Sequence, residues 1–468
     1  MGKAGSMPTR KQLDDEIQAG PENDRASRNT SVLGQNFVFP PAVVDDIHIK
    51  AELGRYRMRG MAIFKKIPTF DDLTFLPGTL TRFVIEGYRE KCETKTVIGP
   101  SAKRPLELEI PIYISGMSFG ALSYEAKVAL ARGATLAGTA TCSGEGGMLP
   151  DERRFSDKWF YQCIQSRYGF NPHHLCLADA CEFFIGQGCK VGLGGHLMGQ
   201  KVTDRVAEMR SLPAGIDQRS PARHPDWLGP DDLALKIDEI REATNHEIPI
   251  QLKLGAARVY DDVRMAAKTG PDSIFIDGME GSTGAGPHLA TEETGVPGIA
   301  AIRQARKALD DVGKSHEISL VYAGGIRNGG DVAKALALGA DAVAIGTAAL
   351  IALNCNKDIP EADFEGTVGV PAGYCYHCHT GLCPVGIATQ DPELRKRLDP
   401  DEAAVRVYNF LHTLAIECQM LARACGKTNV HSLEPEDLAA LTTEASAMAQ
   451  VPLAGTQYTV GQPDMTRY

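Results

Sequence analysis

Cys375, Cys378 and Cys383 crowd into the run CYHCHTGLCP, from Cys375 to Pro384, in a chain that carries only 12 cysteines among 468 residues. Such crowding points to a shared metal centre, and three chemistries compete for it. Cys375 to His379 fit C-x-x-C-H, the attachment motif of a c-type haem. Cys and His at these spacings could instead hold zinc, and the three thiolates could hold an iron–sulfur cluster. The choice depends on the elements that position them.

The chain is long enough for one large core with appendages or for two or three smaller domains, and 43% of its residues are hydrophobic. A net charge of −10 offers no basic field to nucleic acid or anionic lipid. The start, MGKAGSMPTRKQLDDE, lacks the apolar centre of a secretory signal, and its fit to the myristoylation pattern is one that chance supplies easily. The longest apolar run, Ala342 to Leu353, is too short to span a bilayer. These features predict a cytoplasmic protein. Thiols stay reduced there, so clustered cysteines read as ligands, and covalent haem, which belongs to exported proteins, loses ground.

Residues 1–35 are polar and read as an arm, and 37–103 as a mixed extension of short helices and turns, with a strand at KTVIG and a solvated helix face at RYRMRG. From about 104 to 370, eight short apolar runs alternate with helical stretches: EIPIYIS (109–115), TATCS (139–143), FFIGQ (183–187), GIDQRS (215–220), IPIQLKL (248–254), SIFID (273–277), ISLVYAGG (318–325) and DAVAIG (341–346). Buried strands with helices between them predict an α/β fold, a (β/α)8 TIM barrel. No G-x-G-x-x-G follows the first strand, which argues against a doubly wound nucleotide-binding sheet. Residues 371–390 form the cysteine loop, and 391–468 a C-terminal helical segment and tail; Cys418 and Cys425 read as core residues on its first helix.

Barrel chemistry sits where strands end, and the last two loops commonly grip phosphate. Here they supply Gly324 and Gly325, then Gly346 and Thr347, whose N–H and hydroxyl groups suit phosphate oxygens. Lys253 alternates with apolar neighbours on the fifth strand, so it points into the barrel mouth and needs an anionic partner, either a ligand or a buried carboxylate. Glycine-rich polar loops also follow the first, second and sixth strands: SGMSFGALS from 115, SGEGG from 143 and DGMEGSTGAGP from 277. They offer close backbone approach to a flat ring.

Taken together, MSFGALS (117–123), SGEGG (143–147), QCIQSRYG (162–169), QGCKVGLGG (187–195), QLKL (251–254), DGMEGSTGAGP (277–287), AGGIRNGGDV (323–332) and CPVGIATQDPELRKR (383–397) resemble the flavin and iron–sulfur domain of the glutamate synthase family. The resemblance runs from about 100 to 430. It implies FMN and an iron–sulfur cluster, 3Fe-4S in the family, with conversion of 2-oxoglutarate to glutamate through 2-iminoglutarate. Lys253 then matches the lysine beside the flavin ring. Ser118, Ser143, Gly284, Gly324, Gly325, Gly346 and Thr347 fall on flavin-binding loops, and Glu145, Gln162, Arg167 and Lys190 fall among catalytic and substrate contacts. Arg167 could grip a dicarboxylate or rest in an ion pair with Glu145.

The chain also departs from the family's pattern. Gly192-Leu193-Gly194-Gly195 stands where a second GEGG is usual, removing a carboxylate. The family's first cluster cysteine corresponds to Cys355, after which this chain inserts NKDIPEADFEGTVGVPAGY and a new cysteine, Cys375. Cys375, Cys378 and Cys383 are then the expected ligands, and Cys355 is a leftover or a fourth that would permit 4Fe-4S. The ends, including RGMAIFKKIPTFDDLTFLPGTL (59–80), are similar to stand-alone flavin subunits of the N-methylglutamate synthase branch (methylamine–glutamate N-methyltransferases). That likeness implies glutamate plus methylamine giving N-methylglutamate plus ammonia, and amidotransferase-like and glycine-repeat partner subunits in a hetero-oligomer. The alternatives are a conventional glutamate synthase subunit fed by an external reductant, and a non-catalytic electron-transfer subunit.

Overall fold

The structure is a computed structural model that describes residues 38–357, 375 and 377–462. The polar arm, the inserted segment at 358–374 and the last six residues of the tail lie outside the described residues.

Eight parallel strands form the centre: β1 (Ile112–Ile114), β2 (Thr141–Cys142), β3 (Trp159–Cys163), β4 (Ala180–Phe184), β5 (Ile250–Gly255), β6 (Ser273–Asp277), β7 (Ser319–Ala323) and β8 (Ala342–Ile345). A ladder runs from β2 through β3 and onward to β8, then β1. The amide N–H of Ile114 donates to the carbonyl of Ala140 at 3.0 Å and draws the two ends of the sheet together, so the barrel is nearly closed.

Alternation along the strands creates two buried layers, as a barrel sheathed in helices requires. Tyr113, Cys142, Phe160, Phe275, Val321 and Ala344 fill the interior, where the rings of Tyr113 and Phe160 stack at 5.0 Å. Ile112, Ile114, Leu252, Ile274, Leu320 and Val343 point outward. They meet α1 (Tyr124–Leu136), α2 (Pro230–Ala243), α3 (Val259–Lys268), α4 (Gly298–Asp311), α5 (Gly329–Leu338) and α6 (Thr347–Ala352). Caps start these helices where their sequences provide them: Ser123 accepts from Ala126 N at 3.2 Å and Asn328 from Asp331 N at 2.9 Å.

Two of the expected strands differ. GIDQRS contributes only Gln218–Arg219, which pair antiparallel with His196–Leu197 outside the barrel. The third strand is instead WFYQC, five fully buried residues whose aromatic rings fill the pleated surface. The run expected at FFIGQ starts earlier, at Ala180.

The barrel's appendages pack on its ends. The N-terminal helix Pro41–Leu53 stops at Gly54, so RYRMRG is no helix face. Its last residues enter the strand Met58–Met61, which pairs antiparallel with Thr283–Pro287 of the loop after β6. Arg59 is buried there against Glu292, its guanidinium 3.9 Å from the Phe64 ring centre. The strand expected at KTVIG is present as Thr96–Ile98.

Beyond the barrel, α7 (Pro400–Ala424) lies across α1 and α5. A Cβ on Gly329 would stand 2.3 Å from Glu417 Cβ, so glycine permits that approach. Cys418 and Cys425 are buried, as expected. PEDLAAL, read as helix, instead holds a strand at Leu438–Ala440 paired with Leu73–Phe75, because partner hydrogen bonds 365 residues away in sequence outweigh local propensity. Among the described residues no helix is long and apolar enough to cross a membrane.

Candidate functional site

A cavity of about 750 Å³ opens at the carboxyl ends of the strands, within the range of small-molecule sites. Its floor is Lys253, the inward residue near the end of β5. The Lys253 ammonium donates to Ser115 Oγ at 3.1 Å and lies 4.3 Å from the Phe275 ring centre. Burial works against the charge, but the carboxylates of Glu182 and Asp277 outweigh it and hold the Lys253 pKa above its usual range. Burial in turn raises Asp277, at the end of β6, to about 6 even though Lys253 pulls it down.

Beneath the floor lies a polar network that sequence reading missed. Glu182 on β4 accepts from Gln162 Nε2 at 2.5 Å and Gln251 Nε2 at 2.8 Å. Gln251 Oε1 accepts from Tyr113 OH at 3.4 Å and Ser273 Oγ at 3.1 Å. These groups come from five strands and satisfy one another inside the barrel. The only hint in ACEFF is a glutamate inside a strand, and its partners sit 20 and 69 residues away.

The wall under β7 and β8 is the glycine pair Gly324 and Gly325, then Gly346 and Thr347. A Cβ on Gly346 would meet nothing within 4 Å and would project into the open volume, and the same holds for Gly284. Side chains are thus withheld from the cavity at these two positions. Thr347 Oγ1 hydrogen-bonds Ser282 Oγ across the cavity wall. Nearby Glu280 accepts the N–H of Gly298 at 3.0 Å on each oxygen, and burial raises its pKa to about 7.

The loops after β1 and β2 close the opposite side. A Cβ on Gly144 would stand 2.5 Å from Ser118 N, so these loops touch backbone to backbone. Lys127 fastens them from below, paired with buried Glu152 at 2.7 Å and donating to the carbonyls of Met117 and Ser143 at 2.6 and 3.1 Å.

The expected site residues divide by position. Lys253, Glu145, Gln162, Lys190, Ser118, Gly284, Gly324, Gly325, Gly346 and Thr347 all line the cavity. Lys190 Nζ donates to Ala285 O at 3.2 Å, and Glu145 accepts from Ser220 Oγ. Ser143 stands behind the wall, where its hydroxyl accepts from Gln162 N at 2.9 Å and donates to Gly144 O at 3.0 Å. Arg167, expected among the substrate contacts, stands outside the lining, and its ion pair is with Asp226 rather than with the alternative partner Glu145. Its guanidinium lies 2.8 Å from Asp226 in the loop before α2, and its backbone is left-handed (φ 59°).

Cys378 and His379 reach the cavity from the cysteine loop. Burial raises the pKa of the Cys378 thiol, and the charges of Cys383, Cys355 and Cys375 add to that effect. Among the described residues no three His, Cys, Asp or Glu side chains converge as closely as one ion would need. Lys201, which no sequence pattern marked, bridges this loop to the barrel. Its ammonium donates at 2.8 Å to both Cys378 O and Ala121 O, and burial lowers its pKa to about 8.

Comparison with known proteins fits this geometry. The family described as the conserved region in glutamate synthase matches residues 79–428. A glutamate synthase large subunit-like protein of Rhizobium meliloti (strain 1021) is 54% identical over 429 residues, 92% of this chain and 97% of that protein. An archaeal-type glutamate synthase (NADPH) of Thermotoga sp. (strain RQ2) is 38% identical over 384 residues, 78% of this chain and 72% of that protein. A solved mandelate oxidase aligns at TM-score 0.46 and 19% identity over 78% of this chain and 87% of its own, a likeness too loose to bear on function.

Proposed function

Because the chain belongs to the glutamate synthase family, we propose that it is a flavin- and iron–sulfur-bearing subunit acting on glutamate and 2-iminoglutarate. The observation that carries this reading is Lys253, a buried ammonium facing a cavity that Gly324, Gly325 and Gly346 also line, with open space where a Cβ on Gly346 would stand. FMN fits that pairing, and when bound it supplies a hydride acceptor and donor.

The chain's own groups divide the remaining work. The glycine loops and Thr347 would hold the phosphate, Ser118 and Gly284 would border the ring, and Lys253 would lend it a positive charge. Lys190 presents a second ammonium to a substrate carboxylate, and Gln162, fixed by Glu182, offers an oriented amide. Glu145 is held by Ser220 beside them and serves as a proton acceptor for the amine. Arg167 acts from outside by securing the loop around Asp226. Cys375, Cys378 and Cys383 hold the cluster, whose ligands bind separate irons and need not converge on one point.

The amine is methylamine, so that glutamate and methylamine give N-methylglutamate and ammonia with no net gain or loss of electrons. The likeness of residues 59–80 and of the cysteine loop to that branch supports this reading. The glutamate synthase (NADPH) relatives favour a second reading, amination of 2-oxoglutarate by ammonia with an external reductant. Partner subunits of the amidotransferase-like and glycine-repeat kinds complete the assembly. The two readings separate when the purified complex receives glutamate and isotopically labelled methylamine under anaerobic conditions without any electron donor. Equimolar labelled N-methylglutamate and ammonia support exchange. Product only from 2-oxoglutarate, ammonia and an added reductant supports the second reading and sinks the first.

A further inference from the structure

We propose that His196, oriented by Asp217, is the catalytic acid of the amine chemistry and gives its proton to the group that leaves C2 of the substrate. The inference rests on the functional reading above and names a residue that reading leaves unused.

His196 begins the short strand that pairs with Gln218–Arg219, and it lines the cavity together with Glu145, Lys190 and Ser220. Its Nε2 stands 2.8 Å from Asp217 Oδ2, and a carboxylate only accepts, so Nε2 carries a proton and Nδ1 is the ring nitrogen that Asp217 leaves unengaged. Asp217 is fixed in turn, because the Gly199 N–H donates to its Oδ1 at 2.7 Å. Burial works against the Asp217 charge, but the bonds from His196 and Gly199 outweigh it and hold its pKa below the usual range. The His196 side chain is 12% exposed and that of Asp217 39%, so the pair reaches from the cavity wall to solvent.

Glu145 stands at the same end of the cavity. A Cβ on Gly195, the residue before His196, would lie 2.3 Å from Glu145 Oε2 and 3.3 Å from Ser220 Oγ. The ribbon itself is closed without the histidine ring, since the Ser220 N–H donates to Gly195 O at 2.9 Å. Two acid–base groups are therefore held around one glycine, Glu145 by Ser220 and His196 by Asp217. Exchange of amines at the 2-iminoglutarate cation needs such a pair. Glu145 takes a proton from the methylamine nitrogen as its lone pair forms the new bond to C2. Protonated His196 gives a proton to the other nitrogen as the old C2–N bond breaks, and ammonia leaves with the bonding pair. One proton is taken and one given, solvent resets the two side chains, and no electron is gained or lost. In the amination of 2-oxoglutarate the departing group is water, and the role of His196 is the same.

The test is steady-state kinetics of the full complex under anaerobic conditions, with methylamine or ammonia according to which the wild type uses. His196→Ala should lower kcat by about a hundredfold or more. KM for the dicarboxylate substrate should stay within about threefold, since its carboxylates are held elsewhere in the cavity. Imidazole added to the solution should restore part of the lost rate, which it would not do for a defect of folding or packing. An unchanged kcat, or a loss that imidazole does not relieve, overturns the assignment. A wild-type complex that performs neither methylamine exchange nor amination of 2-oxoglutarate overturns the functional reading, and this inference with it. If His196→Ala does not fold, Asp217→Asn supplies the second test: it should lower kcat at an unchanged KM, and a kcat equal to wild type overturns the proposal.

Discussion

Arg167 and Asp226 meet as a two-pronged pair, with Arg167 Nη2 at 2.8 Å from Asp226 Oδ1 and 3.0 Å from Oδ2. The same guanidinium donates through Nη1 to His224 Nδ1 at 2.7 Å. Burial lowers the His224 pKa to about 4, so the ring is neutral at pH 7: Nδ1 accepts from Arg167 and Nε2–H donates to Phe184 O at 2.7 Å. Arg167 therefore links the loop after β3 to the end of β4.

This arrangement predicts a stability phenotype for Arg167. Arg167→Ala and Asp226→Ala should each cost about 1 kcal/mol, since the pair is partly exposed, and the double variant should cost less than the sum. KM for glutamate should stay within about twofold, as expected for a group that does not touch substrate. Urea unfolding and steady-state kinetics on the four proteins check this. A KM increase of about a hundredfold at unchanged stability would instead put Arg167 on the substrate.

Gly346 supplies a prediction of the opposite kind. A Cβ there meets no protein atom within 4 Å and points into the cavity. Gly346→Ala should leave the melting temperature of flavin-free protein unchanged while weakening FMN binding about tenfold, a loss of about 1.4 kcal/mol. Fluorescence titration of FMN into deflavinated protein measures it. Undiminished affinity would remove the last strand's loop from the phosphate site.

These two cases mark how far the sequence could be read. Lys253 was legible because alternation in a continuous apolar strand assigns a face, and the glycine loops were legible because their order along the chain follows strand order. WFYQC was missed because polar Gln162 interrupts its apolar run, although all five residues are buried. The Arg167 partner, the Glu182 network and the Lys201 bridge were not legible, since each joins residues 20 to 177 positions apart. Only the folded barrel places such residues together.

Glu280 predicts a pH dependence. Its usual value is 4.5 and burial raises it to about 7 in the folded protein. The folded state therefore binds more protons than the unfolded chain between these values. The stabilising contribution of the protonated group is full below about 4.5 and is lost as pH rises through about 7. Replacing Glu280 by Gln keeps an acceptor for the Gly298 N–H and removes the titration. Glu280→Gln should flatten the decline of stability with rising pH across this window, and at pH 8 should exceed wild type by roughly 2–3 kcal/mol. Urea midpoints measured from pH 4.5 to 8 check the sign, and parallel curves for the two proteins would refute the burial argument.

Lys253 predicts a coupled change in redox chemistry and in stability. Removing its ammonium would withdraw a positive charge from the proposed flavin site and leave Glu182 and Asp277 without their shared counter-charge. Lys253→Met should lower turnover by about a hundredfold to a thousandfold, the usual result of deleting an oriented electrostatic donor. The midpoint potential of bound FMN should fall by about 30 to 60 mV, because about 1.4 kcal/mol corresponds to 30 mV for a two-electron couple. Stability at pH 8 should drop by about 3 kcal/mol and recover in part toward pH 5, where Asp277 takes up a proton. Lys253→Arg keeps the charge and should hold the potential near wild type even if geometry slows the reaction. Spectroelectrochemistry on the three proteins separates these effects; a potential unmoved by Lys253→Met would mean that the ammonium serves the barrel's carboxylates alone.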